Sequence, residues 1–214
     1  MKIGVLGTGA VGQALATGLP DLGHEVKIGS RDPQQAKVRA WVAQGGAHAS
    51  AGTYAETAHF GELLIFAVLG TAAEEVIQQA VPHNFAGKVV IDTTNPFANA
   101  PGAPTLFVGH TDSLGERIQR AIPDGQVVKA FNIVGAALMV HPQLPGGPPD
   151  MFICGNEPRA KATVAEILHA FGWASTIDIG GIDGARYLEP MAMVWVRAHA
   201  GTHTWIQAFK LLRA

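Results

Sequence analysis

Gly7-Thr8-Gly9-Ala10-Val11-Gly12 sets three glycines at the spacing G-x-G-x-x-G. Each glycine of that pattern has its own physical reason. The first permits a tight turn, the second lets the backbone approach a pyrophosphate, and the third lets a helix pack closely on a strand. A helix that opens within such a turn also offers unsatisfied N–H groups and a partial positive charge to phosphate. The spacing alone also fits an ordinary glycine-rich turn. Here it follows the apolar run Ile3-Gly4-Val5-Leu6 directly and opens a helical pattern through Ala14-Leu15-Ala16 to Leu19, which is the context that a dinucleotide site requires.

Which dinucleotide is read about 20 residues further on, where an acidic residue holds the ribose hydroxyls of NAD and an arginine accommodates the 2'-phosphate of NADP. That segment is Ile28-Gly29-Ser30-Arg31-Asp32. Gly29 or Ser30 takes the expected acidic position, and Arg31 follows. A guanidinium stacks on adenine and pairs with phosphate, and a serine hydroxyl donates to it. Asp32 stands before Pro33 and reads as a helix N-cap with proline in the first turn. The expected cofactor is therefore NADP(H), with Ser30 and Arg31 at its phosphorylated ribose.

Hydride transfer between two stacked rings asks a protein for orientation and exclusion of water more than for acid–base groups. Val68, Leu69, Phe131 and Ile133 are candidates for an apolar wall, and the amides of Asn95 and Asn132 for orienting the nicotinamide carboxamide. Asn132 follows a predicted strand at the carboxyl edge where ligands bind. Asn95 precedes Pro96 and serves equally well as a residue holding its own turn. His199 and His203, four apart on a predicted helix, could present two metal ligands on one face. No third ligand accompanies them and Arg197 is close, so no metal is expected. Cys154 ends an apolar strand and reads as an inert buried thiol. Arg186 and Glu189 read as a surface pair, and Trp173, Trp195 and Trp205 as core or interface residues.

These residues need a scaffold that gathers them. Strand and helix patterns alternate along the chain, which predicts an α/β fold, Rossmann-type and doubly wound, on a mostly parallel sheet. Strands are expected at Ile3-Gly4-Val5-Leu6, Val26-Lys27-Ile28, Val89-Val90-Ile91, Val127-Val128-Lys129-Ala130, Met151-Phe152-Ile153-Cys154 and Thr176-Ile177-Asp178. The unbroken apolar run from Leu63 to Leu69 suits a strand covered on both faces. Thr53 with Glu56 and Thr71 with Glu74 have capping-box spacing and should open helices. Residues 142–149, rich in proline and glycine, should form a loop. From about Arg186 the pattern is helical, with Leu188, Met191, Val194 and Trp195 as one apolar face. The expected organisation is a cofactor domain over residues 1–180 and a short C-terminal helical segment over residues 181–214.

A hydrophobic content of 48% against 15% charged residues predicts a large core. A net charge of -2 offers nothing to attract nucleic acid or anionic lipid. No apolar run reaches the roughly 18 residues of a membrane helix, and one cysteine excludes an intrachain disulfide. A cytoplasmic protein acting on a small-molecule redox substrate is the simplest expectation, with self-association as a homodimer expected from the apolar load between Tyr187 and Leu212.

The sequence resembles the NADPH-dependent coenzyme F420 reductases, and is similar to the NADPH-binding domain of STEAP-type metalloreductases. The resemblance is carried by the glycine turn, Gly29-Ser30-Arg31-Asp32-Pro33, Ala67-Val68-Leu69, Asp92-Thr93-Thr94-Asn95-Pro96, Val127-Val128-Lys129-Ala130-Phe131-Asn132, Ile153-Cys154-Gly155-Asn156, Asp178-Ile179-Gly180, and Ala185-Arg186-Tyr187-Leu188-Glu189. It implies hydride transfer between NADPH and a deazaflavin. It also implies a nicotinamide pocket lined by Ala67, Val68, Leu69, Asn95, Ala130, Phe131 and Asn132, closed by C-terminal helices. Archaeal members carry histidine where this chain has Asn132. The alternatives are a flavin or metal-chelate reductase, an NADP-binding sensor without turnover, and an imine or hydroxyacid reductase. The last usually adds a long helical domain, for which few residues remain after the last predicted strand.

Overall fold

The computed structural model describes residues 1–98 and 104–212. The elements run β1 (Lys2–Leu6), α1 (Ala10–Gly18), β2 (Glu25–Gly29), α2 (Ala36–Gly45), β3 (Ala49–Gly52), α3 (Tyr54–Phe60), β4 (Leu63–Phe66), α4 (Ala73–Ala80), β5 (Val89–Asp92), α5 (Leu114–Ala121), β6 (Gln126–Lys129), β7 (Asp150–Gly155), α6 (Pro158–Ala170), β8 (Ser175–Asp178) and α7 (Ala185–Thr202). They form one eight-stranded sheet in the order β3-β2-β1-β4-β5-β6-β7-β8. The first six strands are parallel, β7 runs antiparallel to β6, and β8 runs parallel to β7. This is the doubly wound Rossmann-type order with a two-strand extension.

Side chains alternate across the strands with period 2. Ile3, Val5, Ile65, Ile91 and Val128 face the core that includes Leu15, Leu19, Val164 and Leu168. Leu6, Leu64, Phe66, Val90 and Val127 face the core that includes Val76, Ile77, Leu114 and Ile118. Helices therefore cover both faces, which is why the strand sequences are apolar throughout. Strand order reverses between β1 and β4, and a crevice opens at their carboxyl ends, where ligands bind in such sheets.

Local expectations met different fates. The Thr53–Glu56 capping box forms as expected. The Thr71–Glu74 pair does not, because the chain enters α4 through a 3-10 turn at Gly70–Ala72 that leaves Ala72 as the cap residue. Asp32 does not cap α2, which begins at Ala36. Its carboxylate accepts from the N–H of Gln34 at 2.9 Å and closes a short turn ahead of the helix. The apolar run from Leu63 is a strand only to Phe66, and its remainder turns toward the crevice. Val194 is 58% exposed, so it leaves the buried face of α7 and Ala185, Leu188, Glu189 and Ala192 occupy it.

The edge strand β3 was not anticipated, since Ala49-Ser50-Ala51-Gly52 has no β-branched or aromatic residue and is held by pairing with β2. Beyond α7 the chain folds back. Phe209 O accepts from Asp150 N at 2.9 Å, and Trp195 and Gln207 exchange side-chain-to-backbone hydrogen bonds of 2.8 and 2.7 Å. No helix among the described residues is long and apolar enough to cross a membrane.

Candidate active site

The three glycines of the β1–α1 turn divide into two kinds. A Cβ on Gly7, whose φ is +127°, would lie 2.0 Å from Ala67 O, and one on Gly12 would lie 2.3 Å from Gly7 O. Both positions are glycine because the protein itself leaves no room. A Cβ on Gly9 would meet nothing within 4 Å. The room there opens onto a crevice of about 600 Å3 that Gly9 lines together with Gly7, Thr8, Ala10 and Val11. No backbone N–H from Thr8 to Gly12 donates to an acceptor among the described residues. The turn thus presents a row of free donors at the start of α1, beside a cradle into which a phosphate fits.

Arg31, just past β2, lines the same crevice. Ser30 does not line it. It is 3% exposed, and its hydroxyl donates to Asp32 O at 3.1 Å while accepting from Asp32 N and the Gln35 amide. Ser30 therefore shapes the turn that carries Arg31. Tyr54, at the start of α3, joins them. Burial pushes its phenol up, Arg31 opposes the shift and Glu75 adds to it, so the hydroxyl remains a neutral donor.

The loops after β4 and β5 make the other wall. Ala67, Val68, Leu69, Thr93, Thr94 and Asn95 all line the crevice, and Leu69 is 76% exposed at its mouth. Asn95 and Asn132 clasp one another. Asn95 Nδ2 donates to Asn132 O at 2.7 Å, and Asn132 Nδ2 donates to Asn95 Oδ1 at 2.9 Å. Asn132 Nδ2 also donates to Leu188 O of α7 at 2.9 Å, and its own Oδ1 is buried with no partner among the described residues.

Four expected residues lie behind the wall, and Asn132 is one of them: it is 5% exposed and reaches the crevice only through its clasp on Asn95. Ala130 and Phe131 are fully buried and Ile133 is 1% exposed, all in the main core. The Phe131 ring meets Phe171 and Trp173 edge-on at centroid distances of 6.3 and 6.5 Å. The sequence reading put Phe131 and Ile133 on the pocket wall, but the chain turns at the end of β6 with Phe131 at φ +63°. That left-handed turn sends the ring into the core, where its packing holds a backbone conformation unusual for a bulky residue.

The residues present fit NADP(H): free N–H donors with open space at Gly9, and a cationic guanidinium on Arg31 lining the same crevice, with no carboxylate at Gly29 or Ser30 where NAD enzymes place one. The comparisons agree with that donor set. Residues 2–96 match the family described as NADP oxidoreductase, coenzyme F420-dependent. An F420-dependent NADP reductase of Methanothermobacter marburgensis is 32% identical over 201 residues, covering 88% of each chain. The chain belongs to this family. It is an NADP-dependent oxidoreductase.

A crystal structure of a candidate F420-dependent NADP reductase from Arthrobacter sp. FB24 superposes over all of both chains with a TM-score of 0.94 at 40% identity. Metalloreductase STEAP3 of Rattus norvegicus is 30% identical across 90% of this chain, which spans only 36% of that longer protein.

Beneath the crevice of this family member lies a charge cluster that the sequence reading missed. The Lys129 ammonium is wholly buried, 2.8 Å from Asp92 Oδ2, 2.9 Å from Glu189 Oε1 and 2.8 Å from Thr94 O. Burial alone would lower its pKa, but Asp92 and Glu189 together raise it above the ordinary lysine value, so the ammonium stays charged. Glu189 also accepts from Leu114 N at 3.0 Å and Gly115 N at 2.9 Å, the first residues of α5. Glu189 is thus no surface partner of Arg186, which pairs with Glu116 instead. Lys129 gave no signal because its flanks, Val127-Val128 and Ala130, read simply as strand. Tyr54, Gly70, Thr93 and Thr94 were also missed, since nothing in their types distinguishes them from loop residues.

Cys154 is buried, and desolvation pushes its thiol up to about 12, so it is inert near neutral pH. The His199 ring stacks on Trp205 with centroids 3.7 Å apart. No group of three or more metal-ligating side chains occurs among the described residues.

Proposed function

We propose that the chain transfers hydride between NADP(H) and a deazaflavin of the coenzyme F420 type. The observation that carries the reading is the phosphate turn sharing one crevice with Arg31 at the carboxyl edge of the sheet. The names of the relatives supply the acceptor. In this reading Gly9 and the turn N–H groups bind the pyrophosphate, and Arg31 binds the 2'-phosphate. Ala67, Val68 and Leu69 exclude water from the nicotinamide, and Asn95, steadied by Asn132, orients its carboxamide. Bound nicotinamide supplies the hydride itself, so the protein needs no acid or base at the ring. Residues 1–180 hold the cofactor, while residues 181–214 close the site and carry self-association into a homodimer, working in the cytoplasm.

The identity shared with STEAP3 favours a second reading, in which a flavin or metal chelate is the acceptor. Oxidation of NADPH followed at 340 nm separates the two when F420, FMN and a ferric chelate are offered in parallel, with NADH as the control donor. Turnover with F420 and NADPH alone is expected. Turnover with FMN or the chelate but not F420 moves the assignment to the second reading. Tight NADPH binding without turnover on any acceptor leaves a sensor.

A further inference from the structure

The Lys129 ammonium donates to Thr94 O at 2.8 Å and forms ion pairs with Asp92 at 2.8 Å and Glu189 at 2.9 Å. It is wholly buried and does not line the crevice, so it does not reach a substrate there. Its place in the fold says what it does instead. Asp92 ends β5 and holds the turn after it, accepting from Thr94 N at 2.9 Å and Thr94 Oγ1 at 2.7 Å. Lys129 ends β6 and grips Thr94 O, immediately before Asn95. Glu189 reaches in from α7 and is anchored on the N-terminus of α5. Gly115 lets α5 come this close, since a Cβ there would lie 3.0 Å from Lys129 Cε and 2.9 Å from Ala185 Cβ. One residue before Glu189, Leu188 O receives the Asn132 amide that in turn holds Asn95.

Two chains of polar contacts, an ion pair and hydrogen bonds, therefore run from the first turns of α7 to one loop of the crevice. One goes through Lys129 to the Thr94 carbonyl, the other through Asn132 to the Asn95 side chain. Both end on the loop after β5, three strands across the sheet from β2, after which Arg31 stands. Burying one cation with two carboxylates is a poor way to gain stability, because well-packed apolar side chains of similar volume do as well or better. What the cluster provides is a fixed position for a carbonyl and an amide.

We propose that Lys129 and Glu189 are positioning residues for the nicotinamide half of the cofactor, holding Thr94 and Asn95 in register with the ring from α7. This rests on reading the crevice as the NADP(H) site, and it does not depend on which acceptor follows.

The test compares two ligands on one variant. Lys129→Met strands two buried carboxylates and can unfold the chain, so Glu189→Gln, which keeps the shape and one acceptor, is the working variant. NADPH binding is measured by its fluorescence, and binding of 2'-phospho-ADP-ribose, which lacks the nicotinamide, by calorimetry. NADPH should bind about tenfold more weakly to Glu189→Gln, the scale of one or two lost positioning hydrogen bonds, while the fragment binds within about twofold of the parent. Equal weakening of both ligands would mark the cluster as merely structural, and no weakening of either would show that the clamp is not needed; each result overturns the proposal. If the unaltered protein binds neither ligand, the cofactor reading fails and the proposal falls with it. Failure of F420 as acceptor leaves this measurement intact.

Discussion

At the scale of single residues, the glycine turn separates what the protein needs from what the ligand needs. Gly9→Ala places a methyl in open space with an ordinary backbone, φ -75°, so the fold should tolerate it within about 0.5 kcal/mol. The same methyl fills the cradle and pushes a phosphate off the turn N–H groups. Hydrogen bonds to a charged group are worth about 1.5–3 kcal/mol, so NADPH affinity should fall roughly ten- to hundredfold. Gly7→Ala should behave in the opposite way. It forces a side chain into φ +127° against Ala67 O and should cost more than about 2 kcal/mol of stability before any ligand is added. Urea denaturation of both variants, with NADPH titrations beside it, checks the pair. A Gly9→Ala protein that unfolds easily yet binds normally when folded would reverse the assignment. The motif was legible because three glycines at fixed spacing leave a trace in the sequence. Lys129, Asp92 and Glu189 left none. They lie 37 and 60 residues apart along the chain, and only the pairing of β5 with β6 and the return of α7 bring them together.

At the scale of elements, the segment after α7 depends on one carboxylate. Asp150 accepts from Leu211 N at 2.7 Å and pairs with Lys210 Nζ at 3.0 Å, with its side chain 3% exposed. Desolvation would raise its pKa, but the Leu211 N–H and Lys210 outweigh that and hold it below the usual carboxylate value. A lowered folded-state pKa contributes stability that is present above the unfolded value, near 3.9, and is lost as pH falls through the folded one. The segment should therefore stay docked down to about pH 4 and loosen below it. In Asp150→Asn it should be loosened already at neutral pH. Limited proteolysis within residues 203–212 reads this directly, and equal resistance of parent and variant at pH 7 would remove Asp150 as the anchor. This segment was invisible in the sequence reading because its order comes from distant backbone partners and not from any periodicity of its own. The strands and most helices were legible for the converse reason: burial on both faces writes itself as apolar runs, and capping as Thr53 and Glu56. Where the local signals were weak, at β3 and at the entry to α4, neighbouring elements decided the outcome.

At the scale of the whole molecule, most exposed apolar side chains, such as Met1, Leu22 and Val81, stand apart, but two share one face of α7. Single exposed hydrophobic residues need no explanation, but contiguous ones mark surfaces that meet something. Tyr187, 73% exposed, and Val194, 58% exposed, stand with Pro190 at positions i, i+3 and i+7 of α7, a single stripe along the helix. Beside the stripe runs a groove of about 710 Å3, whose lining includes Tyr187, Pro190, Met193 and the half-exposed Phe107. Neither Tyr187 nor Val194 lines the cofactor crevice. If the stripe covers its counterpart in a second copy, light scattering at micromolar concentration should return twice the chain mass of 22.4 kDa. Tyr187→Glu with Val194→Glu should halve that mass by placing charge in a dry contact. NADPH affinity should stay within about twofold, because the crevice is built by other residues. A unit mass of 22.4 kDa for the unaltered protein would remove the homodimer. A dimer that survives both substitutions would move its contact to another face of the molecule and leave the stripe on α7 to a different partner.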